Sequence, residues 1–288
     1  MALLYINNNG EVLKNEGATL GSGNRGHIYG DGLFESIRIF NGKPINVEAH
    51  FMRMVEGAMA LKMRVPNFYT ADFFLDKIQE LISLSEIDKG GRVRLSLDRT
   101  SGGTYLPDSN EVTFFIEVYP INNNEFELNS KGWEIDLYTK MRKHKSPLSN
   151  FKTKNGLLYV MSAIEAKERD FDDLLITDPK GGILEGSSAN IFVVSNGVLY
   201  TPGLEEGCVG GVMRMTIINI ALEHGIKVYE CAIMPQNLLA ADEVFMTNAI
   251  KGIVWVSGYR TKRYENKMSG KLIFLLNNYF KATVSSNV

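Results

Sequence analysis

The sequence predicts a mixed α+β fold with two domains, and three observations support it. Strand-like apolar runs and helix-like periodic segments follow one another without strict β–α–β alternation, which favours an α+β or barrel-like protein over a doubly wound sheet. The 288 residues are enough for two domains of ordinary size. A polar, turn-rich connector at 120–125 separates the periodic segments. We therefore expect a first domain over residues 1–119, a linker over 120–125 and a second domain over 126–288.

The first domain is predicted to contain five strands and two helices. The turn sequence Asn8-Asn9-Gly10 favours a hairpin between the strands Leu3–Asn7 and Glu11–Lys14. Thr70 is a suitable N-cap for a helix over Ala71–Ser85. The remaining predicted elements are a strand over Leu33–Phe40 closed by the turn Asn41-Gly42, a helix over 47–63, and strands over Arg92–Leu97 and Val112–Tyr119.

The second domain is predicted to mix strands and helices irregularly. Strand pairs are expected around Glu185 and around Gly197, where turn residues interrupt apolar runs. The other predicted elements are strands over Trp133–Thr139, Lys227–Ala232 and Glu243–Thr247, and helices from about Gly156 to Arg169, Gly211 to His224 and Gly270 to Ala282.

Composition excludes several classes of function. A formal net charge of −2 gives no reason to expect binding to nucleic acid or to an anionic membrane surface, so phosphate recognition must be local. Only two cysteines occur, which fits a reducing compartment and no disulfide framework. The N-terminus lacks the features of a signal peptide, and no apolar stretch approaches the roughly 20 residues of a membrane helix. We expect a cytoplasmic protein without a metal site.

One glycine-rich motif is a weak signal. The segment from Gly21 to Gly26 matches G-x-G-x-x-G, but no buried strand is predicted before it, and Tyr29-Gly30-Asp31-Gly32 follows where a helix is required. We therefore interpret it as a loop, not a dinucleotide site.

Lys152 and Glu185 carry the clearest chemical signal. Lys152 follows the apolar Phe151 in a polar loop that leads into a helix, and a lysine desolvated there is suited to form a Schiff base. Glu185 lies between strand-like runs, and a carboxylate buried there needs a cationic partner; it alternatively caps the turn Gly186-Ser187-Ser188. A lysine and a glutamate of this kind suit pyridoxal 5′-phosphate, whose pyridinium nitrogen the carboxylate keeps protonated. Lys154 is the competing lysine.

A phosphate site is predicted at the start of the helix near Gly211. Glycines at a helix N-terminus leave backbone N–H groups available to an anion, although an ordinary helix entry has the same pattern. Thr247-Asn248-Ala249 at a strand end offers further donors, and Arg53 offers charge. His50 is interpreted as a structural histidine.

Taken together, these residues resemble the class IV aminotransferase family, the fold-type IV pyridoxal-phosphate enzymes. The resemblance covers nearly the whole chain in order. The matching segments are Tyr29–Arg38, the H-x-x-R of His50–Arg53, the lysine motif Lys152–Asn155, Leu184–Phe192, Gly211–Arg214 and Ala241–Asn248.

The resemblance implies a role for each of these residues. Lys152 would bind the cofactor covalently and later move the proton of the substrate carbon that carries the amino group, and Glu185 would bind the pyridine nitrogen. The phosphate would be held by Arg53, by the backbone at Val212 and Met213, and by Asn248 and Ala249. The resemblance also implies an α/β N-terminal domain, a larger barrel-like C-terminal domain with the cofactor between the two, a small amino-carboxylate substrate, and a homodimer in which each subunit completes the other's site.

Within the family, two reactions remain open. Ser36 offers a hydroxyl where branched-chain transaminases have glycine, and the lysine motif has one residue fewer before Asn155; both favour a lyase that converts 4-amino-4-deoxychorismate to 4-aminobenzoate and pyruvate. A small residue on a strand, however, needs no catalytic reason, and the alternative is transfer of an amino group between an amino acid and a 2-oxo acid. The predicted substrate residues are Ser36, Phe34, Arg38 and Arg99, the two arginines being candidates for the substrate carboxylate.

Overall fold

The structure is a computed structural model that describes residues 4–15 and 21–286. These residues form two compact units. The first takes in the described residues up to Glu125, the segment Phe151–Asn155 and the residues from Thr283 onward, and the second takes in Phe126–Asn150 and Gly156–Ala282. The segment that contains Lys152 therefore belongs to the first unit although its neighbours in sequence belong to the second. The predicted domain division at 120–125 stays a prediction.

The first unit is built on a six-stranded antiparallel sheet in the order β2-β1-β6-β5-β3-β4. Its elements are β1 (Tyr5–Asn8), β2 (Glu11–Lys14), α1 (Arg25–Ile28), β3 (Gly32–Phe40), β4 (Lys43–Pro44), α2 (Val47–Ala60), α3 (Ala71–Leu84), β5 (Gly90–Arg99) and β6 (Val112–Ile121). The predicted hairpin is confirmed, with Asn9 and Gly10 at positive φ as its two-residue turn requires. Leu3, the first residue of the predicted first strand, lies outside the described residues.

One face of this sheet carries the apolar core and the other carries polar side chains. Alternate residues of β3 and β5, such as Ile37 and Val93, are buried in a core that also contains Met54 of α2 and Phe74 of α3. Because side chains alternate along a strand, the residues between these core positions point to the opposite face. That opposite face carries Phe34, Ser36, Arg94 and Asp98.

The second unit contains a nine-stranded mixed sheet that curls into a half-barrel. Its elements are β7 (Trp133–Leu137), α4 (Leu157–Glu168), β8 (Asp173–Thr177), β9 (Ile183–Glu185), β10 (Asn190–Ser195), β11 (Val198–Thr201), α5 (Val212–Glu223), β12 (Val228–Glu230), α6 (Pro235–Ala240), β13 (Glu243–Asn248), β14 (Gly252–Tyr259), β15 (Lys262–Arg263) and α7 (Lys267–Ser286). The strand order is β12-β11-β10-β13-β14-β7-β8-β9, with β15 paired to β14. The predicted mixed α/β fold class is confirmed.

Several element boundaries differ from the sequence prediction. The helix expected over 47–63 ends at Ala60, because Lys62 takes a positive φ and the Met63 N–H turns back to the carbonyl of Ala58. The last helix begins at Lys267 and not near Gly270. The elements α1, β4, α6, β14 and β15 are absent from the prediction.

No helix among residues 4–15 and 21–286 is long and apolar enough to cross a membrane. The same residues contain no group of three or more His, Cys, Asp or Glu side chains arranged to hold a metal ion.

Candidate active site

The segment that carries Lys152 is paired with β3 in the first unit. The Phe34 N–H donates to the carbonyl of Lys152 at 2.9 Å, and Leu33 and Thr153 form an antiparallel bridge. Phe151 packs against the apolar core and anchors the start of the segment. Alternation along the paired segment then places the side chain of Lys152 on the polar face of the sheet, beside Phe34.

Two cations lie against the Phe34 ring. The Lys152 Nζ is 4.4 Å from the ring centroid, and the Arg94 guanidinium carbon is 4.2 Å from it. Ser36 follows two residues after Phe34 and pairs directly with Arg94 across β3 and β5. An amine, a hydroxyl and a guanidinium are therefore grouped on one face around one aromatic ring.

Arg94 is a site residue that the sequence analysis missed. It is half-buried, and that burial lowers the pKa of its guanidinium. Among the described residues it donates no side-chain hydrogen bond and forms no salt bridge, so its fork of N–H donors is available to an anion. The only sequence signal was the alternation of Arg92 and Arg94, which puts both on one face of a strand.

Lys154 has a different environment from Lys152. Its Nζ lies 2.6 Å from Oδ1 of Asp98, a carboxylate that is 3% exposed and also accepts a hydrogen bond from Asn24. A Cβ on Gly32 would stand 2.1 Å from the same Oδ1, which explains why glycine occupies this position in the Tyr29–Arg38 motif. Lys154 thus neutralises a buried carboxylate, and this distinguishes it from the lysine over Phe34.

Arg53 and His50 are both held by Glu35, a residue on the buried side of β3. Arg53 Nε donates to Oε1 at 2.8 Å and its Nη2 donates to Oε2, while His50 Nδ1 lies 2.7 Å from Oε2. Burial raises the pKa of Glu35, but Arg53 and His50 outweigh it and lower that pKa to about 2. Burial lowers the pKa of His50, so the imidazole is neutral beside an ionised Glu35. The phosphate-binding role of Arg53 stays a prediction.

The two arginines predicted for the substrate carboxylate contact other parts of the chain. Arg38 is 3% exposed and donates to the carbonyls of Asn123 and Asn124. Arg99 is 7% exposed and donates to Asp31 at 2.9 Å, and also to Asn110 and to the carbonyl of Leu61. Substrate binding by either arginine would require these contacts to be exchanged.

In the second unit, Glu185 ends β9 and is 3% exposed. Its Oε1 accepts hydrogen bonds from Lys143 Nζ at 2.7 Å and from the Tyr159 hydroxyl at 2.9 Å, and its Oε2 accepts one from the Val209 N–H at 2.8 Å. Burial, assisted by the Glu185 carboxylate, raises the pKa of Tyr159, so the phenol stays a donor. Lys143 is the cationic partner that a buried carboxylate requires, although the sequence analysis did not single it out.

The turn after Glu185 is organised by Asp173, which is 1% exposed. Its Oδ1 accepts hydrogen bonds from the N–H groups of Leu174 at 2.8 Å and Ser187 at 3.1 Å, and burial raises its pKa. A Cβ on Gly186 would lie 2.5 Å from Asp173 Oδ2, so the turn needs glycine there. Asp173, and not Glu185, therefore caps the Gly-Ser-Ser turn.

The loop before α5 is fixed by two asparagines. Asn150 donates to the carbonyls of Leu204 and Cys208, at 2.9 and 2.7 Å, and its own carbonyl accepts from Gly210. Asn190 donates to the carbonyl of Val209 at 2.8 Å. These contacts hold the loop at the point where α5 begins.

The start of α5 and the end of β13 fit a phosphate group. Val212 and Met213 open α5, where backbone N–H groups have no partner within the helix. A Cβ on Gly211 would lie 1.9 Å from Asn190 Oδ1, and Asn190 pairs across the sheet with Thr247. Thr247 is 1% exposed, yet its Oγ1 has no hydrogen-bond partner in the described part of the chain. Free helical N–H groups near a buried, unsatisfied hydroxyl form a cradle that an anion would complete.

The other two predicted phosphate residues follow Thr247 directly. The Asn248 side chain accepts hydrogen bonds from the N–H groups of Ile250 and Lys251, at 3.1 and 2.8 Å, and so forms a tight turn around Ala249. The structure therefore brings Val212, Met213 and the Thr247–Ala249 strand end together in the second unit.

The model of the family described as Amino-transferase class IV matches residues 32–259 of the chain. The chain belongs to the class IV aminotransferase family. This class IV enzyme uses pyridoxal 5′-phosphate as its cofactor. The family resemblance predicted from the motifs is thereby confirmed.

Some relatives of this class IV enzyme are named as aminotransferases and others as aminodeoxychorismate lyases. The chain is 28% identical over 280 residues to a putative branched-chain-amino-acid aminotransferase of Methanocaldococcus jannaschii, with 96% of this chain and 95% of the relative covered. It is also 28% identical over 259 residues to an aminodeoxychorismate lyase of Vibrio harveyi, with 87% of this chain and 91% of the relative covered. A solved branched-chain aminotransferase from Thermoproteus uzoniensis with norvaline matches with a TM-score of 0.87 and 25% identity, over 94% of this chain and 92% of that one. The names of the relatives therefore do not decide between the two reactions, and the predicted homodimer stays a prediction.

The buried group of Glu35, His50 and Arg53 predicts a loss of stability in acid. The folded pKa of Glu35, about 2, lies below its ordinary 4.5, so its contribution is complete above about pH 4.5 and is lost as the pH falls toward 2. The folded pKa of His50 lies below 6.5, so its contribution declines as the pH falls below about 6.5. Glu35→Gln leaves Arg53 buried without its carboxylate and is expected to lower the free energy of unfolding by about 3–5 kcal/mol at neutral pH.

Urea unfolding between about pH 3 and pH 8 checks this. The difference between the wild-type protein and Glu35→Gln should shrink as the pH falls, since the wild-type carboxylate then takes up a proton. Glu56→Gln, which changes an exposed carboxylate on α2, the helix that carries His50 and Arg53, should shift stability by no more than about 0.5 kcal/mol. A difference that stays constant over this pH range would show that Glu35 is not the titrating group.

The contrast between the two lysines gives a second prediction. Lys152→Ala is expected to abolish the covalent attachment of pyridoxal phosphate, whereas Lys154→Ala keeps it and lowers the free energy of unfolding by about 3–5 kcal/mol because Asp98 loses its cation. Borohydride reduction of the loaded protein, followed by peptide mass spectrometry, locates the attached lysine directly. A cofactor found on Lys154 would show that the assignment is shifted by two residues.

Proposed function

We propose that this class IV enzyme cleaves 4-amino-4-deoxychorismate to 4-aminobenzoate and pyruvate. The observation that carries the proposal is the grouping of Lys152, Ser36 and Arg94 around the ring of Phe34. A lyase of this kind needs an amine that binds the cofactor and moves a proton, a hydroxyl beside the leaving group, and a cation for a substrate carboxylate. All three groups lie on one face of one sheet.

Groups on this chain fit the chemistry that pyridoxal phosphate requires. Lys152 would bind the aldehyde carbon and Glu185 the pyridine nitrogen, while Thr247 would join the residues that bind the phosphate. Those residues are Arg53, the backbone at Val212 and Met213, and Asn248 and Ala249. Bound pyridoxal phosphate supplies a ring that stabilises the negative charge developing when a proton leaves the carbon bearing the substrate's amino group.

Lys152 is the base that removes this proton. Its position over Phe34 keeps the amine on the face that carries Ser36 and Arg94. The Phe34 ring limits water around the amine and holds the charged form after proton uptake through its π face.

Ser36 assists the departure of pyruvate. When the carbon–oxygen bond between the substrate ring and the enolpyruvyl group breaks, the electron pair stays on the departing oxygen and a proton must be supplied to that group. The Ser36 hydroxyl donates this proton and recovers one from solvent. The proton lost from the amine-bearing carbon goes to Lys152, so the six-membered ring becomes aromatic without an external oxidant.

Arg94 binds a substrate carboxylate. The substrate of the lyase carries two carboxylates, and a half-buried guanidinium with available donors binds one of them through a bidentate contact. The exposed Arg92 lies further along the same face, stacked 4.7 Å over Tyr119, and adds positive charge without occupying the grouping around Phe34.

An aminotransferase is the second candidate. It is favoured by the relative in Methanocaldococcus jannaschii, whose name states that activity and which matches over 96% of this chain. The group around Phe34 also suits an amino donor with a second carboxylate, because Lys152 and Arg94 serve both reactions. The two reactions differ in the role of Ser36, because only the lyase needs its hydroxyl as a proton donor.

Product analysis distinguishes the two candidates. The loaded enzyme, mixed with 4-amino-4-deoxychorismate, is expected to release equal amounts of 4-aminobenzoate, detected by fluorescence, and pyruvate, detected with lactate dehydrogenase. Single amino acids of either hand should leave the absorbance of the bound cofactor unchanged over many turnover times. Conversion of the cofactor to its amine form by an amino acid, with no 4-aminobenzoate produced, would replace the lyase by the aminotransferase.

The role of Arg94 is tested in the same assay. Arg94→Met removes a charge-assisted bidentate contact worth about 1.5–3 kcal/mol, so kcat/KM should fall by about 10–150-fold, mainly through a higher KM. Arg92→Met removes the neighbouring exposed arginine and should change kcat/KM by less than about threefold. Equal effects of the two substitutions would point to general electrostatic attraction and not to a specific contact.

A further inference from the structure

Lys143 is set apart from the basic run in which it occurs. Arg142, His144 and Lys145 are exposed, whereas the side chain of Lys143 is only 11% exposed and turns inward. Its Nζ donates to Glu185 Oε1 at 2.7 Å and to the carbonyl of Ser149 at 3.0 Å. One lysine of the run therefore serves a buried carboxylate 42 residues further along the chain.

The surrounding chain fixes this orientation. The Lys143 N–H donates to the carbonyl of Thr177, the last residue of β8, at 3.0 Å. The loop that follows is closed by the Ser149 hydroxyl, which accepts from the Ser146 N–H at 2.8 Å. Ser149 is 6% exposed, so the carbonyl that receives the Lys143 ammonium is part of a packed turn.

The other titratable groups facing Glu185 are neutral. Tyr159 reaches it from α4, and burial raises the pKa of that phenol. Cys208, beside Val209 in the loop before α5, has its pKa raised by burial to about 12. Among the described residues, Lys143 is therefore the cation in direct contact with the Glu185 carboxylate.

We propose that Lys143 is a positioning residue that fixes the Glu185 carboxylate and weakens its hold on the proton of the cofactor's ring nitrogen. The inference rests on the proposed contact between Glu185 and that nitrogen. Oε1 already accepts two hydrogen bonds and Oε2 accepts one, so one acceptor position remains on Oε2. The ammonium on Oε1 shares the charge of the carboxylate with any cation at that position, so each of the two cations is attracted less than it would be alone.

Lys143 therefore sets how strongly the cofactor's pyridine ring withdraws electrons. With the ammonium present, the carboxylate divides its charge between two cations when the ring nitrogen is protonated. Without it, the protonated nitrogen becomes the sole cationic partner and holds its proton more tightly. A cation at position 143 thus lowers the fraction of protonated ring nitrogen at a given pH.

Binding of two cofactor analogues to the unloaded protein tests this without measuring activity. The first probe is 4′-deoxypyridoxine 5′-phosphate, which lacks the aldehyde and so does not react with Lys152. The second is its analogue with a carbon–hydrogen group in place of the ring nitrogen. The ratio of the two Kd values reports how much the ring nitrogen contributes to the binding affinity. The wild-type protein should bind the first probe more tightly than the second.

Lys143→Met is expected to increase the preference for the pyridine probe by roughly tenfold. The pH at which this preference disappears should rise by about one unit, since one pKa unit corresponds to a tenfold change in affinity. Lys143→Arg keeps the charge and should stay within about threefold of the wild-type ratio. Arg142→Met removes an exposed charge next in sequence and should leave the ratio unchanged. Lys143→Gln, which keeps a hydrogen-bond donor but no charge, provides the same readout if the methionine variant does not fold.

Each outcome has a distinct meaning. If the wild-type protein binds both probes equally, the proposed contact of Glu185 with the ring nitrogen fails. If the wild-type protein prefers the pyridine but neither neutral variant changes that preference, Lys143 serves only the fold and the inference is overturned. A larger preference in Lys143→Met or Lys143→Gln, with Lys143→Arg close to wild type, supports it.

Discussion

Buried carboxylates need partners that compensate their charge, and this constraint fixes the positions of several basic residues of the chain. Three of the almost completely buried carboxylates are each paired with a cation: Glu35 with Arg53, Asp98 with Lys154, and Glu185 with Lys143. An isolated buried charge is costly, so each cation is required where it stands by the carboxylate it neutralises. Lys152 and Arg94 have a different position, against the ring of Phe34. The pairing thereby fixes the positions of three basic residues, of which Arg53 is also proposed to bind the cofactor's phosphate.

The same constraint explains how the family motifs work as units. In the Tyr29–Arg38 motif, Gly32 leaves the space that the Asp98 carboxylate occupies, and Asp98 in turn fixes Lys154 of the lysine motif. Lys154 lies two residues from Lys152 on a segment paired with β3, so its ion pair also fixes the register of that segment. Motifs more than 100 residues apart in sequence are thus parts of one arrangement in the first unit.

Local patterns in the sequence predicted the elements that such patterns control. The hairpin at Asn9-Gly10, the helix capped by Thr70 and the strands on either side of Glu185 follow from turn residues, caps and alternation. The strand β14 was missed, because its residues are mostly buried and show no alternation between apolar and polar positions. Helix α6 is only six residues long, too short for a periodic signal.

The site was predictable wherever a residue type stands in a motif, and not where its role depends on a distant partner. Lys152 and Glu185 could be named from their neighbours in sequence. Lys143 looked like one member of a solvated basic run. No residue near it in the sequence indicates that its Nζ lies 2.7 Å from Oε1 of Glu185 in the folded chain. Arg38 and Arg99 looked available because their acceptors, such as the carbonyl of Asn124 and the Asp31 carboxylate, become neighbours only in the folded chain.

The choice of reaction then depends on two separate features of the chain. In the proposed function, the group around Glu185 would set how strongly the cofactor ring draws electrons, and this would affect proton removal in a lyase and in an aminotransferase alike. The group around Phe34 would decide the next step, because the proposed role of Ser36 is to supply a proton to a leaving group that only the lyase substrate carries. If Lys143 weakens the hold on the ring nitrogen's proton, charge is less fully absorbed by the ring and is more readily passed to a neighbouring carbon–oxygen bond. That electronic setting would favour elimination over return of the proton to the cofactor, so the roles proposed for the ammonium beside Glu185 and for the hydroxyl of Ser36 would serve the same reaction.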